Sequence, residues 1–137
     1  MTNQIAHTLG EMLAGLSPNL SEGSFLFVTL PTSQEAGDAI DAAIGCFRED
    51  EGQSLIMPRE AALALGFADG PPMRHIVLRV HSSLEGVGLT AAVAGRLADH
   101  GIACNVVAAY HHDHLFVPAE RAEEALRLLN ALQREAR

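Results

Sequence analysis

The chain has no lysine and no tryptophan, only one tyrosine and only two cysteines, and each shortage closes off some chemistry. All nine basic residues are arginine. Lysine Schiff bases, lysine general bases and the lysine of a phosphate-binding loop are therefore excluded. Positive charge is scarce altogether: seventeen acidic residues against nine arginines leave a formal net charge of −8. No basic face can be assembled from that balance, so nucleic acid is not an expected partner. Cys46 and Cys104 form neither a Cys-x-x-Cys pair nor a zinc spacing, and read as two reduced core thiols of a cytoplasmic protein. No apolar run approaches the roughly 20 residues needed to span a bilayer. The opening "MTNQIAHTLGEMLAGL" lacks the basic start and apolar centre of a signal peptide. No membrane partner is expected, and no motif requires a cofactor.

What is present fits a globular chain. With 137 residues, 48% of them hydrophobic and 19% charged, there is enough material for one domain or for two small modules sharing one. Ile5, Leu9, Met12, Leu13 and Leu16 recur at helical spacing over residues 4–16, with Thr2 or Asn3 available as a cap, and Ser17-Pro18-Asn19 ends the helix. "SFLFVTL" (24–30) is apolar on both alternating faces, which predicts a strand covered on both sides. "PTSQEAGDAIDA" is small and polar, a loop or a short helix. "AIGCFRE" and "SLIM" read as strands around Asp50-Glu51-Gly52, and Pro58 opens a helix carrying Ala61, Ala62 and Leu65 that Gly66 can end.

"ADGPPM" (68–73) is the strongest punctuation in the chain and the expected boundary between a module at 1–67 and a module at 74–137. In the second half, "RHIVLRV" (74–80) alternates as a strand. "LTAAVAGRLADH" (89–100) puts Leu89, Val93 and Leu97 on one stripe, with Gly101 as the stop. "IACNVVAAY" and "HLFV" are two further strands. Pro118 opens a last helix whose buried stripe is Ala122, Ala125, Leu126, Leu129 and Leu132.

The two halves repeat. "LIMPREAALAL" (55–65) resembles "LFVPAERAEEA" (115–125), an apolar strand, a proline and an alanine-rich helix, at an offset of 60 residues. The first strands, near Phe25 and Ile76, are about 50 residues apart, so the first copy is shorter by about ten where the second has its full helix. Each copy reads as an α+β unit with antiparallel pairing.

Over 80–118 the chain, "HSSLEGVGLTAAVAGRLADHGIACNVVAAYHHDHLFVP", closely resembles the ACT-like modules of small bacterial tandem-ACT proteins, and more distantly those of the animal cytosolic arginine sensor. The resemblance extends over roughly 20–135. It implies two βαββαβ ferredoxin-like modules, the first shortened, with antiparallel sheets and helices mainly on one side. It further implies a non-enzymatic regulatory or sensing role: an amino acid or analogue held at an ACT–ACT interface. The strand apolar on both faces, which two short modules cannot cover alone, predicts a homodimer.

The residues themselves mark a site for such a ligand. After the strand 74–80 comes His81-Ser82-Ser83-Leu84-Glu85-Gly86-Val87-Gly88, leading into the helix at Leu89. Two glycines let backbone approach a ligand closely, and the free N–H groups of a helix start suit a carboxylate. Ser82 and Ser83 offer hydroxyl donors, Glu85 can take an ammonium, and Asn105 with Val106 stands on the next strand. The plainer alternative is a glycine-containing strand-to-helix turn with no ligand.

"YHHDHLFVP" (110–118) holds three histidines and an aspartate within four positions. With His112-Asp113 as a two-residue turn, His111 faces His114, Tyr110 faces Leu115 and Ala109 faces Phe116. His111 and His114, perhaps with His75, then offer two metal ligands where a zinc site wants three or four. A polar hairpin tip is the simpler expectation, with a metal-bridged hairpin or a pure protein–protein interaction module as alternatives. His81 and Ser82, adjacent on a strand, point to opposite faces and form no nucleophile–base pair. No catalytic residue is expected.

Overall fold

A computed structural model describes residues 5–31 and 37–137, so the expected caps Thr2 and Asn3 lie outside the described residues. The chain divides into two compact units, one joining the residues up to Glu22 with Arg74–Arg137, the other Gly23–Met73. The N-terminal helix thus packs with the second half of the chain and not with the module that follows it in sequence.

In the discontinuous unit, helix α1 (Leu9–Ala14) starts later than the apolar spacing predicts. The reason is a capping box: the Thr8 hydroxyl accepts from the Glu11 N–H, and the Glu11 carboxylate accepts from the Thr8 N–H. Of the predicted stripe, Met12 and Leu16 are buried whereas Ile5 and Leu9 are exposed. Strand β1 (Pro18–Leu20) pairs antiparallel with β5 (Met73–Leu78), Asn19 opposite Val77. Helix α4 (Leu89–Ala98) ends, as its sequence predicts, at Gly101 (φ +70°), and the Ile102 N–H donates to the Leu97 carbonyl. Strand β6 (Asn105–Ala108) pairs antiparallel with β7 (Asp113–Pro118), which neighbours β5, and helix α5 (Ala122–Glu135) follows a short 3-10 turn.

Alternation along β5 and β7 turns Ile76, Leu78, Leu115 and Val117 toward α1, α4 and α5, where they join Met12, Leu16, Leu89, Val93, Leu97 and Leu129 in one core. Gln133, on α5, is a buried polar residue on the helix side of this unit. Its Oε1 accepts from the Ser17 N–H at 3.0 Å and its Nε2 donates to the Ala14 carbonyl at 2.9 Å. The turn after α1, where Ser17 has φ +47°, is therefore satisfied by a side chain from the other end of the sequence.

In the continuous unit, β2 (Phe25–Leu30) pairs antiparallel with β4 (Gly52–Pro58), which pairs with β3 (Gly45–Glu49). Helix α3 (Arg59–Ala64) is six residues long, and α2 is described over Gly37–Ala42. The core is Leu26, Leu30, Ala39, Leu55, Met57 and Ala62. The α+β architecture with antiparallel strands agrees with the sequence, and so does the shortened first helix.

Phe27 is 49% exposed and Phe47, on the same sheet face two strands away, 74%, so the chain alone leaves one face of the strand 24–30 open, as two such short modules would. One expectation needs correction here. Cys46, expected in the core, is exposed on the edge strand, with its thiol 3.3 Å from Gln53 Oε1. Cys104 is half-buried, and burial pushes its thiol up to about 11.

Candidate ligand cleft and histidine stack

The loop predicted to approach a ligand forms one wall of a cleft of about 610 Å³. Ser82, Ser83, Leu84, Gly86, Val87, Gly88 and Leu89 all line it, together with Thr90 and Ala91 of the first turn of α4. Gly88 is the N-cap of that helix at φ +100°, and no side chain caps it. A left-handed N-cap is a conformation that glycine adopts without the penalty a Cβ brings. Gly86 is needed for a different reason: a Cβ there would stand 2.8 Å from Met12 Sδ and 3.1 Å from the Ser83 carbonyl oxygen.

The N-terminal segment holds this loop from outside. The Ala6 N–H donates to the His81 carbonyl at 2.8 Å, and the Ser83 N–H donates back to the Ala6 carbonyl at 3.0 Å. Leu9 would be 3.3 Å from a Cβ at Gly88, so α1 lies against both glycines. Within the loop, the Ser83 hydroxyl accepts from the Glu85 N–H at 3.1 Å and the Ser83 carbonyl from the Gly86 N–H at 3.0 Å. The sequence marked the loop but not Met12 as its support, because the contact joins segments about 75 residues apart.

The opposite wall was not foreseen. It consists of Ala108, Ala109, His111, His112 and Asp113, the tip of the β6–β7 hairpin. The expected turn at His112-Asp113 is incorrect. The observed register pairs Val107 with His114 and Ala108 with Asp113, and the Ala109 N–H donates to the His112 carbonyl at 3.1 Å. The turn is therefore Tyr110-His111. This register sets Val106 opposite Leu115, two apolar side chains that reach the same core, and that gain outweighs the turn preferences of the tip residues.

The register also separates His111 from His114, and with it removes the pairing on which a metal-bridged hairpin rested. His111 stands near His81, ring centroids 6.4 Å apart. His114 turns to His75 on the sheet face away from the helices, where its Nδ1 is 2.8 Å from His75 Nε2. His75, 8% exposed, stacks on Phe116 at 4.8 Å, and its Nδ1 is 3.0 Å from Ser21 Oγ, which also donates to the His75 carbonyl. One proton arrangement satisfies all these contacts. His75 Nδ1–H donates to Ser21 Oγ, and His114 Nδ1–H donates to His75 Nε2. Burial first, then the neighbouring His114 and Arg79, push His75 down to about 4, and burial also lowers His114. Among the described residues, no group of three or more His, Cys, Asp or Glu side chains is gathered to hold a metal.

Three predicted site residues stand apart from the main cleft. Glu85 is exposed and lines an adjoining cleft of about 300 Å³ with His7, His81, Tyr110 and His111. Asn105 spends its Nδ2 on the Phe116 carbonyl at 3.5 Å, and Val106 packs against the core.

Comparison with known proteins then decides the family. Models of the ACT domain match residues 6–74 and, separately, 72–131. The chain belongs to the ACT-domain family. A Vibrio cholerae protein of unknown function, described as a possible transport protein, is 41% identical; the match covers 88% of this chain and 93% of that one, with a TM-score of 0.76. The regulatory subunit of aspartate kinase from Thermus thermophilus shares the fold at 13% identity and a TM-score of 0.59, covering 86% and 97% of the two chains. A comparison with curated proteins finds no match. ACT domains are usually regulatory and bind small ligands, and the cleft described above belongs to a tandem ACT protein. The first ACT window, 6–74, includes the helix and strand that pack with the second half, so the family boundary and the packing boundary differ over residues 6–22. No helix among the described residues is long and apolar enough to cross a membrane.

Proposed function

We propose that this chain is a non-enzymatic, cytoplasmic regulatory or sensing module that binds a small amino-acid-like ligand in the cleft between loop 82–88 and the hairpin tip. The observation that carries the reading is the uncapped start of α4 behind Gly88, open to a cleft of about 610 Å³. First-turn N–H groups without a side-chain acceptor favour an anion there, by about 0.3–1 kcal/mol at an exposed site and more when partly buried. A ligand carboxylate is the natural occupant, with Ser82 and Ser83 beside it. Calorimetry against the twenty standard amino acids tests this. Binding that Gly88→Val abolishes supports the site, whereas full affinity in that variant places the ligand elsewhere. Failure of every amino acid, and of nucleotides in a thermal-shift screen, favours an interaction module instead.

The module acts as a homodimer in this reading. The exposed phenylalanines on one face of the β2–β4–β3 sheet, Phe27 and Phe47, give a second copy apolar area to cover. A light-scattering mass near 14.5 kDa at all micromolar concentrations would overturn that.

A further inference from the structure

Among the described residues the cleft has one acidic side chain, and it is not the one the sequence singled out. Of those lining the main cleft, only Asp113 carries a carboxylate and none is arginine. Glu85, the acidic group of the glycine loop, is exposed and faces the adjoining cleft. Asp113 is half-buried, at the first position of β7, fixed by backbone pairing with Ala108. Its carboxylate enters none of the ion pairs among the described residues, which join Arg59 to Asp69, Arg96 to Glu135 and Arg121 to Glu124. The charged and titratable groups acting on it are His112 and His114, and their pull is smaller than the opposing effect of burial. Beside it, His112 lines the same cleft with Nδ1 buried and without a hydrogen-bond partner.

We infer that Asp113 is the cation-recognising residue of this cleft, so that the favoured ligands are zwitterions: carboxylate at the start of α4, ammonium at Asp113. The inference rests on the ligand reading proposed above and adds to it the residue that selects an amine. A half-buried carboxylate with no cation of its own is poorly compensated, and an ammonium group supplies what the protein withholds. Exposed Glu85 offers much less, because water screens it. A ligand lacking the amine leaves Asp113 desolvated and unpaired, which penalises 2-hydroxy acids against 2-amino acids of the same shape.

The test compares the tightest binder among the twenty standard amino acids with its 2-hydroxy acid, by calorimetry, on the full chain. The unsubstituted protein should prefer the amino acid by roughly ten- to a hundredfold, the range of a charge-assisted hydrogen bond. Asp113→Asn, nearly isosteric, should keep its melting temperature and bring the two affinities together, while Glu85→Gln leaves the preference intact. A preference that survives in Asp113→Asn, or collapses in Glu85→Gln, overturns the assignment while the ligand reading stands. If no amino acid binds the unsubstituted protein, the ligand reading itself fails and the role of Asp113 falls with it.

Discussion

The two units end alike and begin differently. Pro58 and Pro118 each close a strand and open a helix, with φ and ψ of −53° and 134° at one and −53° and 135° at the other. The repeat visible in the sequence is thus a repeat of backbone geometry. At the front, α4 has ten residues behind a glycine N-cap and faces a cleft, whereas α2 is described over the six residues Gly37–Ala42. Three residues of α4's first turn, Leu89, Thr90 and Ala91, line the cleft with Ala94, so this helix is part of the site and not only of the core. Copies of one fold can therefore share their closing strand and helix, and in the second copy the first helix also lines a cleft.

The largest expected effect that sharpens this comparison is at Met12. It is 1% exposed and supports Gly86, so Met12→Ala should cost about 2–5 kcal/mol in chemical denaturation. Phe47→Ala, on the exposed face of the other unit, should change the stability of the isolated chain by no more than about 0.5 kcal/mol. Equal losses at the two positions would mean that the exposed face is covered in solution.

Next comes acid. His75 is held near 4 in the folded chain against 6.5 when unfolded, so the unfolded chain binds the extra proton between those values. Stability is therefore complete above about pH 6.5 and falls as pH drops toward 4, by on the order of 2–3 kcal/mol from this residue. His114, lowered in the same direction, adds to the slope. Denaturation midpoints measured from pH 7 to pH 4 should fall steadily, and His75→Gln should flatten the curve. A flat curve in the unsubstituted protein would contradict the buried, neutral assignment.

The smallest effect separates strain from function. Gly66, at φ +90° after α3, has nothing within 4 Å of a Cβ, and Gly88 at φ +100° has Leu9 nearby. Alanine at either site should cost roughly 1–2 kcal/mol for the left-handed backbone. Only Gly88→Ala should also weaken amino-acid binding in calorimetry, because only that glycine lines the cleft.

Features written in neighbouring residues are legible in the sequence: the turn at Asp50-Glu51-Gly52, of which Gly52 already opens β4, the prolines that open α3 and the last helix, the stop at Gly101 and the glycine loop. Features decided by distant pairing were not. The hairpin tip reads as a turn at His112-Asp113 because those residues tolerate it, yet its register is set by Val106 meeting Leu115 on the core face. Nothing within 1–22 reveals that its apolar side chains fit the second half, since helical spacing says which face is buried and not against what. Asp113 does not stand out in the sequence for the same reason. Its place in the cleft follows from the register, whereas Glu85 lies in a loop that could be recognised by eye.

The hydrogen bonds that join the Gln133 carboxamide to the Ser17 N–H and the Ala14 carbonyl impose an order on folding during synthesis. The ribosome makes the turn after α1 well over a hundred residues before the carboxamide that satisfies it. Residues 23–73 form a continuous unit and can close as soon as they emerge, whereas α1 and β1 must wait, their apolar side chains uncovered, until α5 has been made. A nascent chain stalled before α5 therefore presents Met12 and Leu16 to chaperones rather than to that helix, and the glycine loop lacks its support until α5 has emerged.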